Sequence, residues 1–179
     1  MSEFFTLIER RESCRDYDKE RPVEREKLER MLEAARIAPS ACNSQPGRYL
    51  IVTSEQVLAA LRPMTQGQGM NKFVSNAPVL AVVVEEGANP SAAIGARLKR
   101  QDFRSVDIGL SVSQFCLAGT ALGLSTCFLG WFDEDAVKRL LDIPEKRRVR
   151  LVIPIGYAKT DKHREKTRKP LAQMSLFIE

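Results

Sequence analysis

The chain has 179 residues, 44% hydrophobic and 28% charged, which is enough to build a core for one domain spanning 1–179 and excludes extended disorder, low-complexity segments and internal repeats. Its single histidine, its four cysteines without a Cys-x-x-Cys pair and its formal charge of +5 exclude most metal-site, disulfide and histidine-dependent hydrolase readings. Much of the positive excess lies between Lys146 and Lys169 with few aromatics interleaved, a poor match to a nucleic-acid groove built on stacking rings.

The start, Met-Ser-Glu-Phe-Phe, carries an acid where a secretion signal carries basic residues. The longest apolar run, Ile108 to Leu129, is interrupted by Ser111, Ser113, Gln114, Thr120 and Ser125. Both features predict a soluble cytoplasmic protein with no membrane segment.

In chain order, Phe4, Phe5, Leu7 and Ile8 predict a short amphipathic helix after Ser2. The next segment, Arg11-Glu12-Ser13-Cys14-Arg15-Asp16-Tyr17, places Arg11, Ser13 and Arg15 on one side if it is extended. Two guanidiniums flanking a hydroxyl suit a phosphate, although a solvated charge run has the same composition. Val23 to Ile37 has helical periodicity and stops at Pro39. Ala38-Pro39-Ser40-Ala41-Cys42-Asn43-Ser44-Gln45-Pro46 follows as an uncharged polar loop. It reads either as a surface for a flat hydrogen-bonding heterocycle or as an ordinary helix exit.

Arg48 to Thr53 predicts a strand, Glu55 to Leu61 a short helix, Met64 to Met70 a Gly/Gln-rich connector, and Asn71 to Phe73 the start of a helical piece ending near Pro78. Val79 to Val84 is continuously apolar and is expected at the sheet centre, covered on both faces. Gly87 to Arg100, with Arg97, Lys99 and Arg100, reads as a variable surface segment or a lid over a pocket. A long helix capped by Asp102 or Ser105 should reach Leu122 and end at Gly123, buried on every side from Ile108 onward, centrally or against a partner. Ser125 to Leu129 predicts a strand, Asp133 caps a helix after Gly130-Trp131-Phe132, and Arg148 to Tyr157 predicts a strand whose Pro154 belongs at an edge or a bulge.

Three features then suit a phosphorylated, flat ligand: Arg11, Ser13 and Arg15, the loop from Ser40 to Gln45, and the basic pair Lys166 and Arg168. Pattern alone does not say that they converge.

Five segments in order resemble the nitroreductase family: Arg11 to Tyr17, Ala34 to Pro46, Ala121 to Cys127, Leu129 to Phe132 with Ile155-Gly156-Tyr157, and Lys166 to Leu171. The resemblance implies an α+β sandwich with a central, mainly antiparallel sheet flanked by helices, intertwined as a homodimer. It also implies FMN at the subunit interface, with NADH or NADPH as hydride donor to a small-molecule electron acceptor such as a nitroaromatic or quinone. By that likeness Arg11, Glu12, Ser13, Arg15, Lys166 and Arg168 serve the cofactor from one subunit, and Pro39, Ser40, Ala41, Asn43 and Gln45 from the other. Phe128, Leu129 and Gly130 lie beside flavin N5, where the backbone at Leu129 or Gly130 hydrogen-bonds. Lys72 approaches the pyrimidine side, and the tail 160–179 reaches the partner. No side chain acts as a covalent catalyst, and no metal, nucleic acid or membrane is expected. Gly47 and Arg48 depart from the aromatic residue that family members often carry after Gln-Pro. A flavin-binding protein without turnover fits the same residues, and a basic nucleic-acid-binding module is the remaining alternative.

Overall fold

The computed structural model describes residues 3–161 and 164–179. Ser2, which precedes the expected first helix, and the lone histidine, His163, fall outside them. Along the chain the main elements are α1 (Glu3–Arg10), α2 (Arg25–Arg36), β1 (Gly47–Val52), α3 (Glu55–Thr65), β2 (Val79–Glu85), α4 (Pro90–Lys99), α5 (Arg104–Ala121), β3 (Ser125–Thr126), α6 (Glu134–Leu140) and β4 (Arg148–Gly156). Short 3-10 turns lie at Ala41–Asn43, Lys72–Asn76 and Leu171–Gln173.

The sheet is four-stranded and antiparallel in the order β1-β2-β4-β3. β2 is an inner strand with every residue buried. Because successive strand side chains point to opposite faces, it feeds two cores. Leu80, Val82 and Val84 pack with α3, Val137 of α6 and Tyr17 on one face, while Val79, Ala81 and Val83 pack with Leu28, Met31 and Phe115 of α2 and α5 on the other. The result is the α+β sandwich expected from the sequence. Asp133 caps α6 as expected, its Oδ1 accepting the Ala136 N–H at 2.9 Å.

Several expectations are corrected. Pro154 lies on an inner strand, not at an edge, because β4 pairs with both β2 and β3. Its carbonyl accepts the Tyr17 hydroxyl at 3.2 Å, so its backbone faces the β3 side, where β3 has already ended and no ladder N–H is needed. The expected strand from Ser125 to Leu129 is correspondingly broken into β3 and a lone bridge of Leu129 with Val152. Most of Gly87 to Arg100 forms the exposed helix α4, started by Asn89, whose side chain accepts the Ala92 N–H, and Pro90. The N-cap position of α5 is Phe103, with Asp102 Oδ1 accepting the Arg104 N–H at 3.0 Å, and Ser105 does not cap it.

Burial of α5 is one-sided within this chain. Ile108, Val112, Phe115 and Cys116 are buried, whereas Val106 and Leu110 are 53% and 43% exposed, with Gly109 and Ser113 open beside them. The tail is likewise uncovered, with Leu176, Phe177 and Ile178 exposed.

Candidate active site

In the segment after α1, Ser13 bridges Thr126 in parallel. Cys14 N–H donates to the Thr126 carbonyl at 2.9 Å, and the Tyr17 hydroxyl is shared between the Cys14 and Pro154 carbonyls. These bonds tie the basic segment to the end of β3.

The C-terminal segment returns to the same corner. Arg164 N–H donates to Glu12 Oε2 at 3.1 Å, and the Arg164 guanidinium bonds the Ser13 carbonyl. The Lys166 ammonium donates to the Ile8 carbonyl at 2.9 Å and to that of Glu9. Partial burial lowers the Lys166 pKa, and the Arg11 and Arg168 charges lower it further. Burial pushes the Cys127 thiol up against the pull of Arg15, the Ser13 hydroxyl, Arg164 and Arg11. Arg11, Ser13, Arg15, Lys166 and Arg168 are therefore gathered at one corner, as the sequence reading needed.

This cluster holds more cations than acids, with Glu12 and Glu9 beside Lys166 and Glu12 bonded to Arg164. Arg11, Arg15 and Arg168 make no ion pair with the described residues. Holding an excess of cations together is unfavourable, and a phosphate supplies further negative charge through forked, charge-assisted hydrogen bonds. The donor set thus fits the phosphate of a mononucleotide cofactor. The Glu12 carboxylate accepts the Arg164 N–H and so ties the C-terminal segment to this corner.

Arg11 stands over the Phe128 ring with its Cζ 5.9 Å from the centroid, which joins the clamp to the next turn. There the Leu129 N–H is committed to the Val152 carbonyl at 2.9 Å and the Leu129 side chain is buried. Leu129 therefore has no amide to offer a ligand, and the expectation narrows to Gly130, whose exposed N–H bonds none of the described residues. Asn71 Nδ2 donates to the Trp131 carbonyl at 3.4 Å, and the Phe73 ring lies 6.5 Å from that of Tyr17. Lys72 lies in the chain between these two anchored residues.

The polar loop is built from its own side chains. The Ser40 hydroxyl accepts the Gln45 N–H at 3.0 Å, and Gln45 Nε2 donates to Asn43 Oδ1 at 2.9 Å. Cys42, Asn43 and Gln45 have φ of 51°, 52° and 47°, a left-handed run that these bonds and two neighbours hold. Asn89 Nδ2 donates to the Cys42 carbonyl at 2.8 Å, and the buried Asp107 carboxylate accepts the Ala41 N–H at 3.0 Å. Pro39 and Ser40 line a groove of about 380 Å³ beside the loop.

Within one chain the loop and the clamp do not meet. Gly47, which follows the loop, stands level with Glu85 and Arg148, whereas Thr126, which holds Ser13, stands level with Ile155 and Val79 on the opposite edge. At ~3.4 Å per residue and ~4.8 Å per strand, these corners are on the order of 25 Å apart. α5 connects them, with Asp107 bonded to Ala41 near its start and Thr120 facing Arg10 and Glu12 across a small cleft near its end. At 1.5 Å rise per residue, that stretch of helix measures roughly 20 Å.

Asp107, Asn71, Asn89 and Arg164 were not singled out from the sequence, and all four act by fixing backbone around the candidate site. Asn89 before Pro90 was the one legible signal among them, as a helix-start pair.

Comparison with known proteins gives the class to which this architecture belongs. Residues 8–72 and 65–157 match the family model described as the Nitroreductase family. MhqN of Bacillus subtilis, named as an NAD(P)H nitroreductase, is 29% identical, with 100% of this chain and 99% of MhqN covered. Among solved structures, B. subtilis ydfN, titled a nitroreductase, superposes with a TM-score of 0.83 at 26% identity, covering 98% of this chain and 99% of that one. A protein of Exiguobacterium sibiricum, titled a nitroreductase in complex with FMN, gives a TM-score of 0.82 at 22% identity, covering 99% and 98%. The chain belongs to the nitroreductase family.

Proposed function

We propose that two copies of this chain form a dimer with FMN sites at their interface, and that the dimer passes hydride from NADH or NADPH to an electron-poor acceptor such as a nitroaromatic or quinone. The observation that carries this reading is the separation of the clamp from the loop. Neither half makes a site alone, yet each is built. The exposed face of α5 lies between them, and packing two copies of α5 antiparallel about a two-fold axis brings one chain's loop to the other chain's clamp while burying Val106 and Leu110. The uncovered tail with Leu176, Phe177 and Ile178 is then placed to lie on the partner.

When bound, FMN supplies the two-electron chemistry that links donor to acceptor. The chain's residues bind and tune it. Arg11, Arg15 and Arg168 neutralise the phosphate, with Ser13 as a further donor, while Lys166 is fixed by the Ile8 and Glu9 carbonyls. Lys72 provides a cation on the pyrimidine side, where negative charge develops on reduction, and Gly130 offers an amide donor beside N5, with Asn71 and Trp131 joined by a hydrogen bond between them. The partner's Ser40, Ala41 and Asn43 close the polar wall. No side chain takes a covalent role, in keeping with a sequence that has a single histidine.

The test is direct. Purified protein supplied with FMN should turn yellow, elute as a dimer and oxidise NADH or NADPH with a quinone or nitroaromatic. Protein that retains flavin but is not bleached by NADH or NADPH under anaerobic conditions contradicts the enzyme reading and leaves flavin binding without turnover. Protein that retains no flavin contradicts both.

A further inference from the structure

We propose that the cavity between the Ala41–Asn43 turn and α4 holds the pyrophosphate half of NAD(P)H, with Lys99 and Arg100 as its anion contacts. This inference rests on the reading of the chain as a flavin enzyme that takes NAD(P)H, and it places the donor on a specific surface.

The cavity measures about 560 Å³, within the size of small-ligand pockets. Ala41 and Cys42 of the polar loop form one wall, Ala92 and Ala96 of α4 the other, and Lys99 and Arg100 stand at the rim. A ligand lying in it therefore has one end at Ala41, against the flavin, and the other at the cations. The small side chains of Ala41, Ala92 and Ala96 leave room for a bulky ligand.

Charge accounting favours an anion. Arg104 on the same lining is held by Asp102, with its Nε 2.9 Å from Oδ1, and by Glu85 at 2.9 Å. Asp107, also on the lining, is committed to the Ala41 N–H. Those acids are engaged, and Lys99 and Arg100 make no ion pair with the described residues. Neutral nitroaromatics and quinones have no use for two such cations, whereas a dinucleotide carries its phosphates at one remove from the nicotinamide.

The cations are also placed by design of the backbone. α4 has no buried residue and is tethered at its start, where Asn89 donates to the Cys42 carbonyl at 2.8 Å and its N–H donates to the Ser44 hydroxyl at 3.0 Å. At the other end the chain turns sharply, with the N–H groups of Arg100 and Gln101 both donating to the Ala96 carbonyl and Arg100 at φ 52°. A left-handed arginine is unfavourable, and such conformations gather at ligand sites.

The experiment compares the FMN-loaded wild type with the double variant Lys99→Gln/Arg100→Asn. Asparagine tolerates the left-handed backbone, and α4 contributes nothing to the core, so the fold should survive. ADP-ribose is the binding probe, titrated calorimetrically. Expected results are a Kd for ADP-ribose and a KM for NAD(P)H each raised about tenfold in the variant, with FMN content and the KM for a neutral quinone unchanged. Failure of the wild type to bind ADP-ribose, or equal Kd values for wild type and variant, overturns the assignment. So does a variant whose KM rises only for an anionic acceptor such as nitrobenzoate, which makes the cavity an acceptor site. Because ADP-ribose binding is read independently of turnover, a wild type that binds the probe but takes up no FMN contradicts the flavoenzyme reading and not the anion site.

Discussion

The buried carboxylate of Asp107 accepts the backbone N–H of Ala41 at 3.0 Å, and through that bond α5 holds the polar loop at its left-handed turn. An amide left without its acceptor costs about 1–3 kcal/mol. Asp107→Ala should therefore loosen the loop and raise the Kd for FMN about five- to tenfold, whereas Asp107→Asn, which keeps an acceptor oxygen, should recover most of the loss. Fluorescence titration of apoprotein with FMN measures both. Equal affinities for wild type and Asp107→Ala would show that the loop does not depend on this bond.

The turn beside Gly130 depends on Gly67. A Cβ there would lie 2.7 Å from both Trp131 Cδ1 and the Trp131 carbonyl oxygen, and Gly67 already has a φ of +52°. Gly67→Ala must displace Trp131, at a cost of about 1–3 kcal/mol. Trp131 is the chain's single tryptophan, so its emission reports the shift directly. We expect a changed emission maximum together with a lowered Tm. An unchanged spectrum and Tm would mean that the turn accommodates a side chain freely.

Acid stability follows from Glu134. Burial raises its pKa, but hydrogen bonds from Arg148, the Val149 N–H and Lys138 outweigh that and bring it down to about 2. A carboxylate whose folded pKa lies below its unfolded value stabilises the fold above the unfolded pKa, and the contribution disappears as pH falls through the folded one. Glu134→Gln should therefore be less stable than wild type by about 1–3 kcal/mol at pH 7, and the gap should close between about pH 5 and pH 2. Urea unfolding across that range checks it. A gap independent of pH would place the effect in packing and not in the charge.

The clamp makes an ionic-strength prediction. Replacing Arg15 by Ala should weaken FMN binding about tenfold at low salt, and the difference should shrink as salt screens the exposed guanidinium. Titrations at two salt concentrations test this. A salt-independent loss would place Arg15 in the architecture of the segment and not in phosphate binding.

Much of this molecule is written locally. The continuous apolar run from Val79 to Val84 announced a strand buried on both faces, and Asp133 announced the start of α6. The alternation of Arg11, Ser13 and Arg15 likewise falls in the segment that bridges Thr126. What escaped notice is set by distant contacts. Nothing near Asp107 in sequence shows that its partner is Ala41, and nothing near Arg164 points to Glu12 and Ser13. Pro154 looked like an edge residue because the gap left by β3 is a property of a neighbouring strand. α4 was obscured by its composition, since Ala92, Ala93, Gly95 and Ala96 provide no apolar stripe, although Asn89 and Pro90 mark its start.

The central claim, that one chain's loop completes the other chain's clamp, is open to subunit complementation. One variant carries Arg11→Ala, Arg15→Ala and Arg168→Ala. The other carries Asn43→Gly and Gln45→Gly, glycine being chosen because both positions have positive φ. Each homodimer should lose FMN. A heterodimer isolated after co-expression has one site with both halves intact and should bind about one FMN per two chains. A heterodimer that binds no FMN, with each parent still folded and dimeric, would mean that loop and clamp serve the same chain's ligand and would contradict the account.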